Sequence, residues 1–188
     1  MTRLIRLACL DDAQAIQAIY APVVSHTPIS FETVPPSTEE MRQRIAQTLK
    51  SFPWLVYEDS GEVLGYAYAS QHHVRSAYQW SVDVTVYIHE RSRRQGVGRK
   101  LYAALFKLLR QQGFYNVYAG ITLPNAASVA LHEAMGMQAL GVYQKAGYKL
   151  GAWYDVGWWQ GLLQPHSANP PAPKSMLEMQ ITAWKELD

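Results

Sequence analysis

The sequence predicts an α/β or α+β fold in which helices pack on one mostly continuous β-sheet. Segments with alternating apolar and polar residues, typical of strands, are interspersed with segments whose apolar residues recur every three or four positions, typical of helices. The length of 188 residues fits one domain. Hydrophobic residues make up 48% of the chain and charged residues only 17%, so the composition predicts a packed core and excludes a disordered protein.

The N-terminal part is predicted to form a strand and two helices. Arg3–Ala8 has the length and apolar content of a short strand. Two aspartates can cap the helix that follows, whose apolar residues recur at helical spacing. They are Ala13, Ile16, Tyr20 and Val23 or Val24. After a loop, Ser37 and Glu40 form a capping box, which predicts a second helix that ends near Leu49.

The middle of the chain is predicted to form a hairpin and a long strand. Trp54–Glu58 and Val63–Ala69 flank an Asp-Ser-Gly turn. In the next strand, Trp80–Ile88, side chains alternate between the two faces of the sheet. One face carries Val82, Val84, Val86 and Ile88, and the other carries Ser81, Asp83, Thr85 and Tyr87.

Two helices and three strands are predicted next. The helices cover Gly96–Gln112 and, capped by Asn125, a stretch to Met135; the strands cover Tyr115–Ile121, Gln138–Gln144 and Tyr154–Leu162. The first of these helices places four leucines on one face, which we expect to lie in the core. They are Leu101, Leu105, Leu108 and Leu109.

The C-terminal part is predicted to contain a linker and a last strand. The domain itself spans 1–163, residues 164–174 contain four prolines and form a linker, and 175–188 include an alternating stretch, Ser175–Trp184. Its apolar face carries Leu177, Met179, Ile181 and Ala183. Because an unpaired apolar strand invites association, we expect a homodimer with this strand at or near the interface. The alternative is a strand that pairs only with its own domain.

Charge and cysteine content exclude several classes of protein. The 17 Lys and Arg residues against 15 Asp and Glu give a net charge of +2, a smaller excess than nucleic-acid-binding surfaces usually carry. The single cysteine, Cys9, rules out an intrachain disulfide and agrees with a reducing compartment. No apolar run approaches the roughly 18 residues of a membrane span. We therefore expect a cytoplasmic protein that binds neither nucleic acid nor membrane.

The strongest chemical signal is a basic, glycine-containing loop before the third helix. It comprises Arg93, Arg94, Gln95, Gly96, Val97, Gly98 and Arg99. A glycine turn that leads into a helix N-terminus forms an anion cradle, because free N–H groups and the helix dipole favour negative charge there. The spacing matches neither a Walker loop nor a dinucleotide fingerprint. The alternative is a solvated basic turn that caps the helix.

Several stretches together resemble one family. The pattern Arg-x-x-Gly-x-Gly follows a Val86-Tyr87-Ile88 strand, and Asn125 opens a later helix, as in the GNAT superfamily of N-acetyltransferases. More narrowly, the chain resembles the phosphinothricin acetyltransferase subgroup over nearly its whole length up to Leu163. The stretches that carry this closer match include Ile29–Thr33, Leu123–Asn125, Leu131–Gly136 and Gly147–Trp153.

The resemblance implies a mixed, mostly antiparallel sheet with a splayed central strand that binds acetyl-CoA, without a metal. The pyrophosphate would lie on the basic loop. The pantetheine arm would pair with backbone groups of Val86, Tyr87 and Ile88, and Asn125 would hold its far end. An extended arm that carries amides needs backbone donors and acceptors, and a splayed strand supplies both.

Two side chains are candidates for proton transfer. Asp83 stands where the family more often has glutamate, so a relaying water is one possible route. His132 lies two helical turns after Asn125, where the subgroup has histidine; alone, it is typical of a hydrogen-bonded, partly buried residue. Cys9 is expected as a small buried residue of the opening strand, so the resemblance implies direct attack by the amine on the thioester rather than an acyl-enzyme.

The resemblance also implies a small, zwitterionic amino-acid substrate, held by cations and aromatic rings. The candidate contacts are Phe31, Arg75, Tyr78, Asp83, Thr85, Tyr143 and Lys149. His72 and His73 have no further ligand at metal-like spacing and receive no role. The alternatives are a protein N-terminal acetyltransferase and a non-catalytic CoA-binding module.

Overall fold

A computed structural model describes residues 3–181 and 184–187, and these form eight strands and four α-helices. The strands are β1 (Arg3–Leu7), β2 (Trp54–Asp59), β3 (Glu62–Gln71), β4 (Ser81–Ile88), β5 (Asn116–Leu123), β6 (Gln138–Lys149), β7 (Ala152–Leu162) and β8 (Lys185–Leu187). The helices are α1 (Ala13–His26), α2 (Thr38–Ser51), α3 (Val97–Gln112) and α4 (Ala126–Ala134).

The strands form one sheet in the order β6-β7-β5-β4-β3-β2-β1-β8. Neighbouring strands are antiparallel except for β4 and β5, which are parallel. The predicted mixed, mostly antiparallel sheet is therefore confirmed. Within the part of the chain that the structure describes, no helix has both the length and the apolar character needed to cross a bilayer.

Helices cover both faces of the sheet. One core cluster joins α3 to Val82 and Val84 of β4, and a second joins α1 and α2 to the opposite face. The residues predicted to point inward from α1 and α3 are all buried, which confirms the helical spacing. The capping box of α2 is also confirmed: Ser37 Oγ accepts from the Glu40 N–H at 3.2 Å, and the Glu40 carboxylate accepts from the Ser37 N–H at 2.6 Å.

The central strands diverge. Parallel pairing of β4 with β5 covers only Ser81 with Asn116, Val82 with Val117 and Asp83 with Tyr118. Beyond Asp83 each strand continues on its outer partner alone, β4 on β3 and β5 on β7. The sheet therefore opens into a wedge, along which the β4 backbone does not pair with β5.

The hairpin at one sheet edge is longer than predicted. β6 continues beyond the expected end at Gln144 to Lys149, across a register shift between Tyr143 and Gly147. Lys145 adopts a left-handed backbone (φ +48°), and its N–H donates to Asp155 Oδ1 at 2.7 Å. The Asp155 side chain of β7 thus stabilises the register shift in β6. Hydrophobic alternation along the chain does not reveal such a tertiary contact.

The C-terminal segment differs from the prediction. Met176–Gln180 forms a turn rather than part of a strand over 175–184, and the strand β8 begins only at Lys185 and pairs with β1 of the same chain. Local hydrogen bonds favour the turn: the Ser175 N–H and hydroxyl donate to the Glu178 carboxylate at 2.7 and 2.8 Å. The positions 182 and 183 of the predicted strand lie outside the described residues. Residues 164–174 contain neither helix nor strand.

Candidate active site

A small cavity occupies the wedge between β4 and β5. Its volume is about 90 Å³, and β4, β5, α3 and α4 all contribute to its walls. The lining residues include Thr85, Val86, Tyr87, Tyr102, Gly120, Thr122, Asn125, Ser128 and His132. Three sequence-predicted residues of β4 and two of the α4 segment therefore meet at one cavity.

The basic loop leads into α3 next to this wedge. Gly96 is the N-cap and has a left-handed backbone (φ +79°), which glycine adopts without steric strain. No side chain caps the helix, and the first-turn N–H groups have no intrahelical partner. Exposed arginines surround them: Arg93, Arg94 and Arg99. The arrangement is suited to a phosphate anion.

Gly98 serves helix packing as well. A Cβ at this position would lie 3.0 Å from Leu131 Cδ2 of α4. The backbone that only glycine adopts easily is that of Gly96, where a Cβ would meet no atom within 4 Å. Of the two glycines, Gly96 therefore determines the conformation of the turn, and Gly98 permits the close approach of α3 and α4.

His132 lies in the wall of the cavity and is buried, 4% exposed. Its Nδ1 lies 2.7 Å from the Ser128 carbonyl oxygen, and its Nε2 lies 3.0 Å from the Tyr102 hydroxyl. Burial lowers the pKa of His132, so the ring is neutral near pH 7. Since a carbonyl can only accept, Nδ1 carries the hydrogen, and the Tyr102 O–H donates to Nε2. Sequence analysis missed Tyr102, which reads as one more apolar position of α3.

Asp83 lies at the point where β4 and β5 separate. Its Oδ1 is 2.7 Å from His72 Nδ1, and burial raises the pKa of Asp83 while His72 opposes the rise. His72, which directly follows β3, also stacks on Tyr118 with ring centres 4.2 Å apart. Sequence analysis gave His72 no role. The adjacency of β3 and β4 in the sheet brings it to Asp83, and nothing in the spacing along the chain indicates this.

The predicted substrate contacts do not converge on one point. Thr85 lines the wedge cavity, whereas Tyr143 lines a separate pocket of about 250 Å³. The other residues of that pocket are His72, Tyr118, Leu140, Gly141 and Trp158. Tyr78 stacks on His73 at 4.7 Å, and Arg75 is exposed at the start of the same short turn.

Lys149 and Phe31 hold the loop that follows α1. Lys149 is buried, and its ammonium group donates to the Ser30 carbonyl oxygen at 2.6 Å. The Phe31 ring packs directly on Gly147, where a Cβ would collide with it. These contacts connect the loop to β6. In the structure, both side chains therefore position the loop.

A polar network that sequence analysis missed holds the same loop from the other side. The Glu32 carboxylate accepts from both Arg44 nitrogens at 2.7 and 3.0 Å and from the Tyr20 hydroxyl at 2.9 Å. The Tyr20 hydroxyl also lies 2.7 Å from Ser30 Oγ. The loop over the α1 and α2 face is thereby fixed between two helices and β6.

Cys9 differs from its prediction. It follows β1 instead of lying within it, and it is exposed rather than buried. Two strands, β2 and β3, separate β1 from the wedge, so Cys9 is not placed to take part there. Among residues 3–181 and 184–187, no group of three or more His, Cys, Asp or Glu side chains could hold a metal ion.

A mixed sheet that opens between its parallel central strands, with an uncapped basic helix N-terminus beside the opening, is the arrangement that the resemblance to the GNAT superfamily implies for a CoA-dependent acyltransferase. The chain belongs to the GNAT acetyltransferase family, whose domain model matches residues 5–158. It is an acetyl-CoA-dependent N-acetyltransferase.

Similar proteins agree with this assignment. The chain is 42% identical to a phosphinothricin N-acetyltransferase of Streptomyces viridochromogenes over 83% of this chain and 85% of that protein. It is 33% identical to an L-methionine sulfoximine/L-methionine sulfone acetyltransferase of Salmonella typhimurium, over 87% of this chain and 96% of the relative. The crystal structure of a phosphinothricin acetyltransferase from Sinorhizobium meliloti in complex with AcCoA superposes with a TM-score of 0.86 at 33% identity, covering 91% and 94% of the two chains.

Proposed function

We propose that this enzyme acetylates the primary amine of a small amino acid of the phosphinothricin or methionine sulfoximine type. The observation that carries the proposal is the wedge between β4 and β5, which brings Thr85, Asn125 and His132 to one cavity directly beyond Asp83. The named substrates of two similar enzymes support the amino-acid class. Acetyl-CoA supplies the activated acetyl thioester.

The cofactor assignment follows from the unpaired backbone. Val86, Tyr87 and Ile88 lie beyond the last β4–β5 pair, so their inner backbone groups are free of that strand and can bind an extended, amide-bearing arm. The loop Arg93–Arg99 would hold the pyrophosphate at the N-terminus of α3. Asn125, whose side chain accepts from the Ser128 N–H at 3.1 Å, would hold the inner end of the arm.

Two groups on different sides of the cavity would move protons. Asp83 stands on the β4 side, where the proton that the substrate amine loses would leave, and it is hydrogen-bonded to His72. His132 and Tyr102 lie on the α4 and α3 side, and because His132 Nε2 accepts in their hydrogen bond, the Tyr102 O–H is the member of the pair that can supply a proton to the departing sulfur. Orientation of the two substrates can supply roughly 7–11 kcal/mol, so these groups add to a rate that positioning already provides.

The test is a thiol-release assay with acetyl-CoA and a panel of acceptors. The panel contains phosphinothricin, methionine sulfoximine, methionine and a short peptide with a free N-terminus. We expect the highest kcat/KM for one of the first two. A preference for the peptide would favour a protein N-terminal acetyltransferase. Acetyl-CoA binding in calorimetry without turnover of any amine would favour a non-catalytic binding module.

We also propose a homodimer in the cytoplasm, with its interface on the β6–β7 hairpin. β6 is a sheet edge, and large apolar side chains on the hairpin are exposed. They include Leu140, Val142, Tyr148, Leu150 and Trp153. The C-terminal segment, which the sequence analysis placed at or near the interface, contains β8, and this strand pairs with β1 at the opposite edge. Such an apolar edge is suited to a second copy of the chain.

Light scattering distinguishes the two locations. We expect the double variant Tyr148→Glu/Trp153→Glu to be monomeric, because it places charges on an exposed ring pair whose centres lie 5.4 Å apart. A chain truncated after Leu163 should stay dimeric but unfold more easily, because it loses the buried Met176. A truncated chain that is monomeric and stable would indicate that the interface lies on the C-terminal segment instead of the hairpin.

A further inference from the structure

The ring of His72 and the carboxylate of Asp83 form a close pair on neighbouring strands. His72 directly follows β3, and Asp83 pairs across the sheet with Ser70, two residues earlier. The distance from His72 Nδ1 to Asp83 Oδ1 is 2.7 Å, and the two side chains are 21% and 29% exposed. The pair is therefore largely withdrawn from water but still accessible to a small molecule.

The partners of the imidazole determine which nitrogen carries the hydrogen. An ionised carboxylate can only accept, so Nδ1 carries the hydrogen that Asp83 Oδ1 binds, and the lone pair of Nε2 stays free to accept a proton. The stack on Tyr118, with ring planes 12° apart, holds the imidazole in place. Asp83 thus orients the ring as the carboxylate of a catalytic triad orients its histidine.

The surroundings of the pair are aromatic. Tyr118 of β5 stacks on His72, Tyr78 lies edge-on with ring centres 6.1 Å apart, and Trp158 of β7 lies at 6.3 Å. Tyr68 of β3 is a further titratable neighbour, because the negative charge of Asp83 contributes to raising the pKa of Tyr68. Since tyrosine and tryptophan side chains are neutral near pH 7, these aromatic neighbours bring no second charge to the pair.

A histidine suits the task better than a lone carboxylate. The amine of an amino acid is mostly an ammonium at pH 7, because model α-amino groups titrate near pH 8. Histidine is the side chain that most often serves as a general base near neutral pH. His72 also lines the pocket of about 250 Å³, together with Tyr118 and Trp158.

We propose that His72, oriented by Asp83, is the group that accepts the proton of the substrate ammonium. The inference rests on the proposed amine acetylation. One proton of the ammonium passes to His72 Nε2 and then to solvent. The amine lone pair forms the new C–N bond, the C–S bond breaks with its electron pair on sulfur, and a second nitrogen proton balances the thiol that leaves.

The experiment compares pH profiles of kcat/KM for wild type, His72→Gln and Asp83→Asn, with His73→Gln as the matched control. At pH 7 we expect His72→Gln to lose about 10²-fold and His73→Gln to stay near wild type. Near pH 9.5 the amine deprotonates by itself, so the His72→Gln defect should shrink at least tenfold. The double variant His72→Gln/Asp83→Asn should lose no more than the more damaged single variant, since the two residues act as one unit.

A second measurement does not depend on turnover. The ¹⁵N chemical shifts of the His72 ring at pH 8 should report hydrogen on Nδ1 in the wild type. A ring with hydrogen on Nε2, a His72→Gln variant with wild-type kcat/KM, or a defect that is constant with pH would each overturn the inference. Failure of the proposed function looks different, because the wild type itself would then acetylate no amine on the panel.

Discussion

The two halves of the site are formed by different groups, backbone in one and side chains in the other. The wedge between β4 and β5 and the start of α3 offer mainly backbone: strand groups without a β4–β5 partner and the uncapped N–H groups after Gly96. The neighbouring pocket is built from side chains of four separate segments, including His72, Tyr118, Tyr143 and Trp158. Backbone can recognise a cofactor that does not change, whereas side chains set which acceptor amine fits. Substitutions should therefore affect the two halves differently.

The largest effect is expected where side-chain chemistry meets the wedge. His132→Ala removes the group that accepts from Tyr102, and kcat should fall by about 10²-fold, within the usual range for a lost acid–base group. The affinity for acetyl-CoA should change little, because the backbone of β4 is intact. Turnover kinetics and calorimetry measure the two quantities separately. If His132→Ala turns over at the wild-type rate at pH 7, His132 has no role in the mechanism.

The backbone half is tested by a matched pair of glycines at the two ends of α3. Gly96 (φ +79°) and Gly113 (φ +94°) both have left-handed backbones, so Gly96→Ala and Gly113→Ala introduce the same kind of strain. Only Gly96→Ala should weaken acetyl-CoA binding, by about tenfold or ~1.4 kcal/mol. Equal affinities of the two variants would show that the turn before α3 does not hold the cofactor.

A smaller effect is expected in the loop over the side-chain half. Arg44→Met removes the two-pronged contact with Glu32 and loosens the loop that carries Phe31. Because both ionic side chains are more than a third exposed, the loss should not exceed about 1 kcal/mol, equivalent to about a fivefold rise in the KM for the amino acid. The KM for acetyl-CoA should stay constant. A rise in both would mean that the loop also supports the wedge.

The smallest expected effect is a change in how steeply the free energy of unfolding depends on pH. Burial lowers the pKa of His132 in the folded protein, so below about pH 6.5 the unfolded chain binds a proton that the folded chain does not. The free energy of unfolding should therefore decrease as the pH falls from 7 to 5. In His132→Gln this decrease should be smaller, as urea unfolding at both pH values measures. Parallel decreases in the two proteins would indicate that His132 is not buried as a neutral ring.

Much of the fold was predictable because its signals are local. The capping box at Ser37, the leucine face of α3 and the alternation of β4 depend on residues a few positions apart. The wrong prediction of a strand over Met176–Gln180 has the same origin. Alternation favours a strand there, but hydrogen bonds between Ser175 and Glu178 form a turn, and the strand begins later.

The sequence by itself determined the sheet-and-helix architecture, the glycine turn before α3 and, through resemblance to a family, the cofactor and the candidates Asp83 and His132. Only the tertiary structure decided which side chains those candidates meet. His72 reaches Asp83 because β3 and β4 are neighbours, and Tyr102 reaches His132 because α3 packs on α4. Helical and strand periodicity are properties of a short stretch of backbone, whereas the partner of a buried polar group depends on how distant stretches pack, which no local pattern records.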